Sequence, residues 1–166
     1  MRDWRARLEM WVDVWDRLEE LTRDCFPVSR SSGLPWPVGL PTCPALTDFY
    51  ARCDGGTFGA YLVSPVSGLG DPSAGWLAGS PGPDLSHGRW VEFGSHEFGH
   101  TLLWNADADE VMLYSPDDEE PRRLKRTMEA FLERLFYPSA KASNETTVMW
   151  AGALAEAEAV AKAGGD

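Results

Sequence analysis

The stretch Trp90-Val91-Glu92-Phe93-Gly94-Ser95-His96-Glu97-Phe98-Gly99-His100-Thr101-Leu102-Leu103-Trp104-Asn105 admits two readings with opposite consequences. Wound as a helix, it sets His96 and His100 four residues apart on one face, where two imidazoles can hold one Zn²⁺ while Glu97 activates a metal-bound water. Left extended, it is two strands joined by the wet tip of a turn. Gly94 and Gly99 each cost about 1 kcal/mol relative to alanine inside a helix. The flanks, Trp90 to Phe93 and Thr101 to Asn105, are rich in aromatic and aliphatic residues that suit strands. The tract is therefore read as a connection between strands, with Gly94 ending the first and residues 94–99 forming the turn.

The zinc reading also lacks ligands. His96-Glu97-Phe98-Gly99-His100 resembles the opening of the metzincin protease signature, which continues to a glycine and a third histidine. Leu103 and Ala106 stand at those two positions. The third histidine of the chain, His87, lies upstream, and Glu129 is the downstream carboxylate that could replace it. A zinc metallopeptidase is accordingly the second reading, and no metal, cofactor or catalytic residue is expected.

Outward from this tract, Glu110 to Ser115 is a second apolar run after the polar turn Ala106 to Asp109, so a β-hairpin is predicted. Arg122 to Lys125 adds an edge strand, and Thr127 caps a helix whose apolar face is Met128, Phe131, Leu132, Leu135 and Phe136. Glu145 to Ala163 is a terminal helix of weak amphipathicity and no evident role. Upstream, Trp4, Leu8, Trp11, Trp15, Leu18 and Leu21 recur at steps of three and four, which predicts one amphipathic helix over residues 3–24. Residues 27–41 hold four prolines and two glycines and read as an extended connector. Leu46, Phe49, Tyr50 and Cys53 predict a short helix capped by Thr42 and stopped by a left-handed glycine in Asp54-Gly55-Gly56. Thr57 to Ser64 reads as one strand, and residues 65–89 as a long Gly/Pro-rich excursion around Trp76-Leu77.

A chain of 166 residues with 43% hydrophobic content is enough for one domain with one core. No apolar run approaches the roughly 20 residues needed to span a bilayer, and no basic segment leads into an apolar one at the N-terminus. Cys25, Cys43 and Cys53 form no C-x-x-C pair and read as reduced thiols, so a cytoplasmic location is expected. Against 15 Lys+Arg stand 26 Asp+Glu, a formal charge of -11. That balance disfavours direct binding to nucleic acid or to an anionic membrane and favours a cationic partner.

The order of these elements resembles the SUKH superfamily, which includes bacterial immunity proteins and yeast cell-wall regulators. The residues that carry the resemblance are Leu40-Pro41, Leu46, Phe49-Tyr50, Asp54-Gly55-Gly56, then Trp90 to Gly94, Leu102 to Ser115, and Thr127-Met128 with Phe131-Leu132. It spans residues 34–137 of a single domain 1–166, leaving 138–166 as a C-terminal helical extension. Met128 stands where the family usually has Phe. The resemblance implies an α+β fold, a twisted, mainly antiparallel sheet flanked by helices, that binds a protein without catalysis. Its implied partner is a cognate toxin, for which a basic nuclease would suit the acidic balance; a regulatory adaptor would use the same fold with another partner. Asp107, Asp109, Glu110, Asp117, Asp118, Glu119 and Glu120, with no base among them, are the candidate partner-binding residues. Such a cluster would speed encounter with a basic surface.

Overall fold

The computed structural model describes residues 2–72, 85–115, 117–118 and 120–165. Seven antiparallel strands lie in the order in which the chain makes them: β1 (Val28–Arg30), β2 (Cys53–Phe58), β3 (Tyr61–Val63), β4 (Trp90–His96), β5 (Thr101–Asn105), β6 (Glu110–Tyr114) and β7 (Arg122–Lys125). The helices are α1 (Trp4–Val14), α2 (Glu20–Cys25), α3 (Pro44–Arg52), α4 (Met128–Phe136) and α5 (Glu145–Ala163). The fold is α+β, an antiparallel sheet flanked by helices, the class that the resemblance implies.

The period of two along the strands sorts their side chains. Leu102 and Trp104 of β5 join Val111 and Leu113 of β6 in the main core, beneath α1, α3, α4 and α5. Leu103, Met112 and Tyr114 face the other way, and Leu85, at the end of the long excursion, packs on them with Trp90. Both faces of the central strands are thereby covered. A bulge in β4 sets Phe93 and Gly94 against Leu102, so β4 continues through Gly94 to His96 instead of ending there. A Cβ on Gly94 would lie 2.1 Å from the Leu62 carbonyl oxygen, which is why this strand position is glycine.

Several sequence expectations are corrected by packing. The helix over 3–24 is interrupted: a 3₁₀ turn at Trp15–Arg17 leads to Leu18 in an extended conformation, φ -73° and ψ 161°. Leu18 is buried, and Leu21, assigned to the apolar stripe, is 69% exposed. Glu156 of α5 accepts hydrogen bonds from the Glu19 N–H (2.7 Å) and the Thr22 hydroxyl (2.6 Å), holding the restart as α2. Within the 27–41 connector, β1 pairs with β2. A three-residue strand is too short to show a period.

The helix α3 is entered from Cys43 rather than Thr42, with Pro44 in its first turn. Its last residue is Arg52, so Gly55 and Gly56 are not its cap but part of β2. At Gly55, φ is 83°, and a Cβ would meet the Val63 carbonyl oxygen at 2.5 Å. Residues 57–64 are not one strand but the β2–β3 hairpin, turned at Gly59 with φ 62°. The centre of the excursion, including Trp76-Leu77, lies outside the described residues.

The β5–β6 hairpin, β7, α4 with its Thr127 cap and α5 stand where the sequence puts them. The terminal helix has a clear packing role, since Trp150, Ala153, Leu154 and Ala157 are buried in the main core. Cys25, Cys43 and Cys53 are free thiols, and burial pushes Cys53 up to about 12. Among the described residues no helix is long and apolar enough to cross a membrane.

Candidate functional site

The histidine tract forms the β4–β5 turn. His96 closes β4, its N–H donates to the His100 carbonyl at 2.8 Å, and the Gly99 N–H donates back to the His96 carbonyl at 2.8 Å. Three residues, Glu97, Phe98 and Gly99, span the turn, and Gly99 takes the left-handed conformation (φ 80°) that such a loop requires. The helical zinc clamp is thus not the geometry adopted.

The two imidazoles are nevertheless not splayed. They lie side by side across the strand pair, ring centres 5.9 Å apart and planes 23° from parallel. Tyr61 packs edge-on against His96 at 5.1 Å, and Phe98 lies 5.2 Å from it on another side. Burial, then the charges of His100 and Arg122, hold His96 below its ordinary pKa, with Glu97 opposing.

The remaining residues of the zinc reading are engaged elsewhere. The Glu97 carboxylate accepts from the Thr146 hydroxyl at 2.8 Å, tying the turn to the first turn of α5. Glu129 accepts from the Trp4 indole at 2.8 Å and from Arg5 at 2.6 and 3.0 Å. It sits in the first turn of α4, at the opposite end of the sheet from the tract: the Met128 N–H at that helix start donates to Asp109 in the β5–β6 turn. Among the described residues no group of three or more His, Cys, Asp or Glu is placed to hold a metal ion.

The turn is also an apolar projection. Phe98 is 71% exposed, and Leu62 of β3 and Met149 of α5, both part-exposed, border a groove of about 560 Å³ beside it, with Glu97 and Thr146 on its wall. Large exposed apolar groups gathered at one place mark contact surfaces more often than isolated ones do. Phe98 was not legible as a site residue. A single aromatic in a five-residue motif gives no sign of whether it points to core or solvent.

The six described residues of the seven acidic candidates do not form one cluster. Asp107 and Asp109 lie in the β5–β6 turn, whereas Asp117, Asp118 and Glu120 lie between β6 and β7, at the other end of β6. Five residues at about 3.4 Å each separate the two turns by roughly 17 Å.

The first group is largely neutralised. Asp107 pairs with Arg89 at 2.8 Å and Glu110 with Arg123 at 3.0 Å. Asp109 adopts φ 50° and accepts from the Trp104 indole (3.0 Å) and the Met128 N–H (3.2 Å), joining the hairpin to the start of α4. In the second group Asp117, Asp118 and Glu120 are exposed and have no ion pair among the described residues. Glu119 lies outside those residues.

The meander brings this second turn beside the first site. Thr101 pairs with Tyr114, so His100 and Ser115 leave adjacent strands at the same end of the sheet. The tips of the β4–β5 and β6–β7 connections are two strand spacings apart, about 10 Å. One end of an antiparallel α+β domain therefore carries an exposed aromatic with a flanking groove, next to an acidic turn.

No family model matches the chain, nor does any curated protein or solved structure.

Proposed function

We propose that the chain is a non-enzymatic protein-binding domain, most simply a cytoplasmic immunity protein that neutralises a bacterial toxin by binding it. The observation that carries this reading is the juxtaposition at one end of the sheet of Phe98, 71% exposed, with the exposed carboxylates Asp117, Asp118 and Glu120, which have no ion pair among the described residues. An aromatic anchor inside a charged rim is the usual arrangement of a protein interface, in which the anchor supplies affinity and the rim steers encounter. The net charge of -11 favours a basic partner, such as a nuclease whose cleft normally holds phosphates. The SUKH-like order of elements supports a toxin as that partner. The acidic contribution comes from the β6–β7 turn, because Asp107, Asp109 and Glu110 already have partners within the domain.

The test is calorimetric titration of the full chain against the toxin domain encoded beside its gene. Phe98→Ala is expected to weaken binding at least tenfold, about 1.4 kcal/mol. Reversal to lysine at Asp117, Asp118 and Glu120 is expected to slow association and flatten its salt dependence. Affinity unchanged in both variants removes this surface from the mechanism. Metal analysis of the purified protein addresses catalysis separately: a stoichiometric zinc ion lost in His96→Ala would replace this reading with a metallopeptidase.

A further inference from the structure

Although acids outnumber bases, the fold gathers cations around α4. A cleft of about 630 Å³ is bordered by Arg2, Lys125, Arg134 and Lys141, and Glu133 is the one acid among its described lining residues. Neither Lys125 nor Arg134 forms an ion pair among the described residues. The two are close enough that Arg134, after burial, lowers the pKa of the Lys125 ammonium. Holding like charges together beside a partly buried ammonium is unfavourable, and a bound anion would relieve it.

Both cations also line a second, deeper pocket of about 140 Å³, between the sheet, α4 and the first turns of α5. Its floor is apolar and buried, formed by Phe58, Phe131, Leu135 and Trp150. The floor is held in place: the Trp150 indole donates to the Leu135 carbonyl at 2.6 Å, and Phe58 lies edge-on to Trp150 at 5.9 Å. Asn144 and Thr147 add polar groups to the lining. An apolar floor with a few convergent polar groups is the ordinary form of a small-molecule site. The volume decides the size of the guest, since an apolar cavity of about 150 Å³ accommodates one benzene ring.

We infer that this pocket binds a small carboxylate whose apolar body is about one aromatic ring in size, the ring resting on Phe131 and Trp150 and the carboxylate meeting Arg134 and Lys125. The guanidinium fork of Arg134 suits a planar carboxylate, which can accept two parallel hydrogen bonds from it. A polyphosphate or nucleic-acid backbone would satisfy the cations and leave the aromatic floor empty, so the two halves of the pocket together select the smaller, amphipathic guest. The pocket adjoins the groove beside Phe98, with which it shares Gly59, Ala60, Tyr61 and His96, but its two cations and its aromatic floor are not part of that groove.

The experiment is a titration of the full chain with sodium benzoate, followed by amide NMR shifts and calorimetry, with benzyl alcohol and inorganic phosphate as comparison probes. Saturable shifts are expected at Lys125, Arg134, Asn144 and Thr147. Benzyl alcohol, which has the ring without the charge, is expected to bind at least tenfold more weakly. Arg134→Gln, an exposed substitution that leaves the core intact, and Lys125→Gln are each expected to weaken benzoate at least tenfold. Equal binding of benzyl alcohol, unchanged affinity in Arg134→Gln, the same shifts with phosphate at equal affinity, or no saturation by benzoate would each overturn the assignment.

Discussion

Three glycines illustrate how differently one residue type can act in this chain. At Gly94 an added Cβ would lie 2.1 Å from the Leu62 carbonyl oxygen, so β3 and β4 could not keep their spacing. Gly94→Ala is expected to destabilise the protein by about 3 kcal/mol or more, read as a lowered urea midpoint. Gly152, in the interior of α5, has nothing within 4 Å, and Gly152→Ala in the same assay should stabilise by about 1 kcal/mol through helix propensity. Gly99 is limited by its own backbone, φ 80°, and by no neighbour. The need for glycine at 99 is local and follows from a turn reading. The need at 94 comes from a carbonyl 32 positions upstream in sequence, which is why Gly94 reads as a strand end when only its neighbours are considered.

Among the elements, α1, α3 and α4 are joined by one charged group of side chains. Arg5 reaches both Asp48 (2.5 Å) and Glu129 (2.6 Å), and the Trp4 indole adds a third donor to Glu129. The Arg5 hydrogen bond, helped by Trp4 and opposed by burial, lowers the Glu129 pKa from its ordinary 4.5. A carboxyl group lowered in the folded state contributes stability above its unfolded pKa and loses it as pH falls through the folded value. Glu129→Gln is therefore expected to cost about 1–2 kcal/mol at pH 7, moderated by partial exposure. The gap to the parent should close as denaturation is repeated at pH values falling below 4.5. The elements legible from sequence were those with enough length or enough capping to declare themselves: α4 with Thr127, α5, and the β5–β6 hairpin. β1 and β3, three residues each, carry no period, and the break at Leu18 depends on Glu156, which no local pattern near residue 18 contains.

At the scale of the whole molecule, α5 is part of the core and not an appendage. Trp150 meets Trp11 at 4.7 Å, Phe26 at 5.0 Å and Phe58 at 5.9 Å, linking the N-terminal helices, the sheet and the C-terminal helix in one aromatic cluster. Trp150→Ala should cost about 3–5 kcal/mol, measured as a large fall in thermal midpoint with loss of near-UV signal. A core that ended near residue 137 would leave Phe58 and Trp11 uncovered on this side. The amino-acid sequence by itself determined the main strands and helices, and that the H-E-x-x-H tract turns instead of winding. These follow from interactions between residues a few positions apart, where glycine content, period and caps act directly. The tertiary structure alone decided which charges remain free and what gathers around them. The order of strands split the six described acids between the two ends of β6, gave Asp107, Asp109 and Glu110 partners within the domain, and set Asp117, Asp118 and Glu120 at the end that carries Phe98. It also placed Lys125 and Arg134 over the same aromatic floor. Charge and exposure belong to positions in space, and only the closed meander with its packed helices assigns those positions.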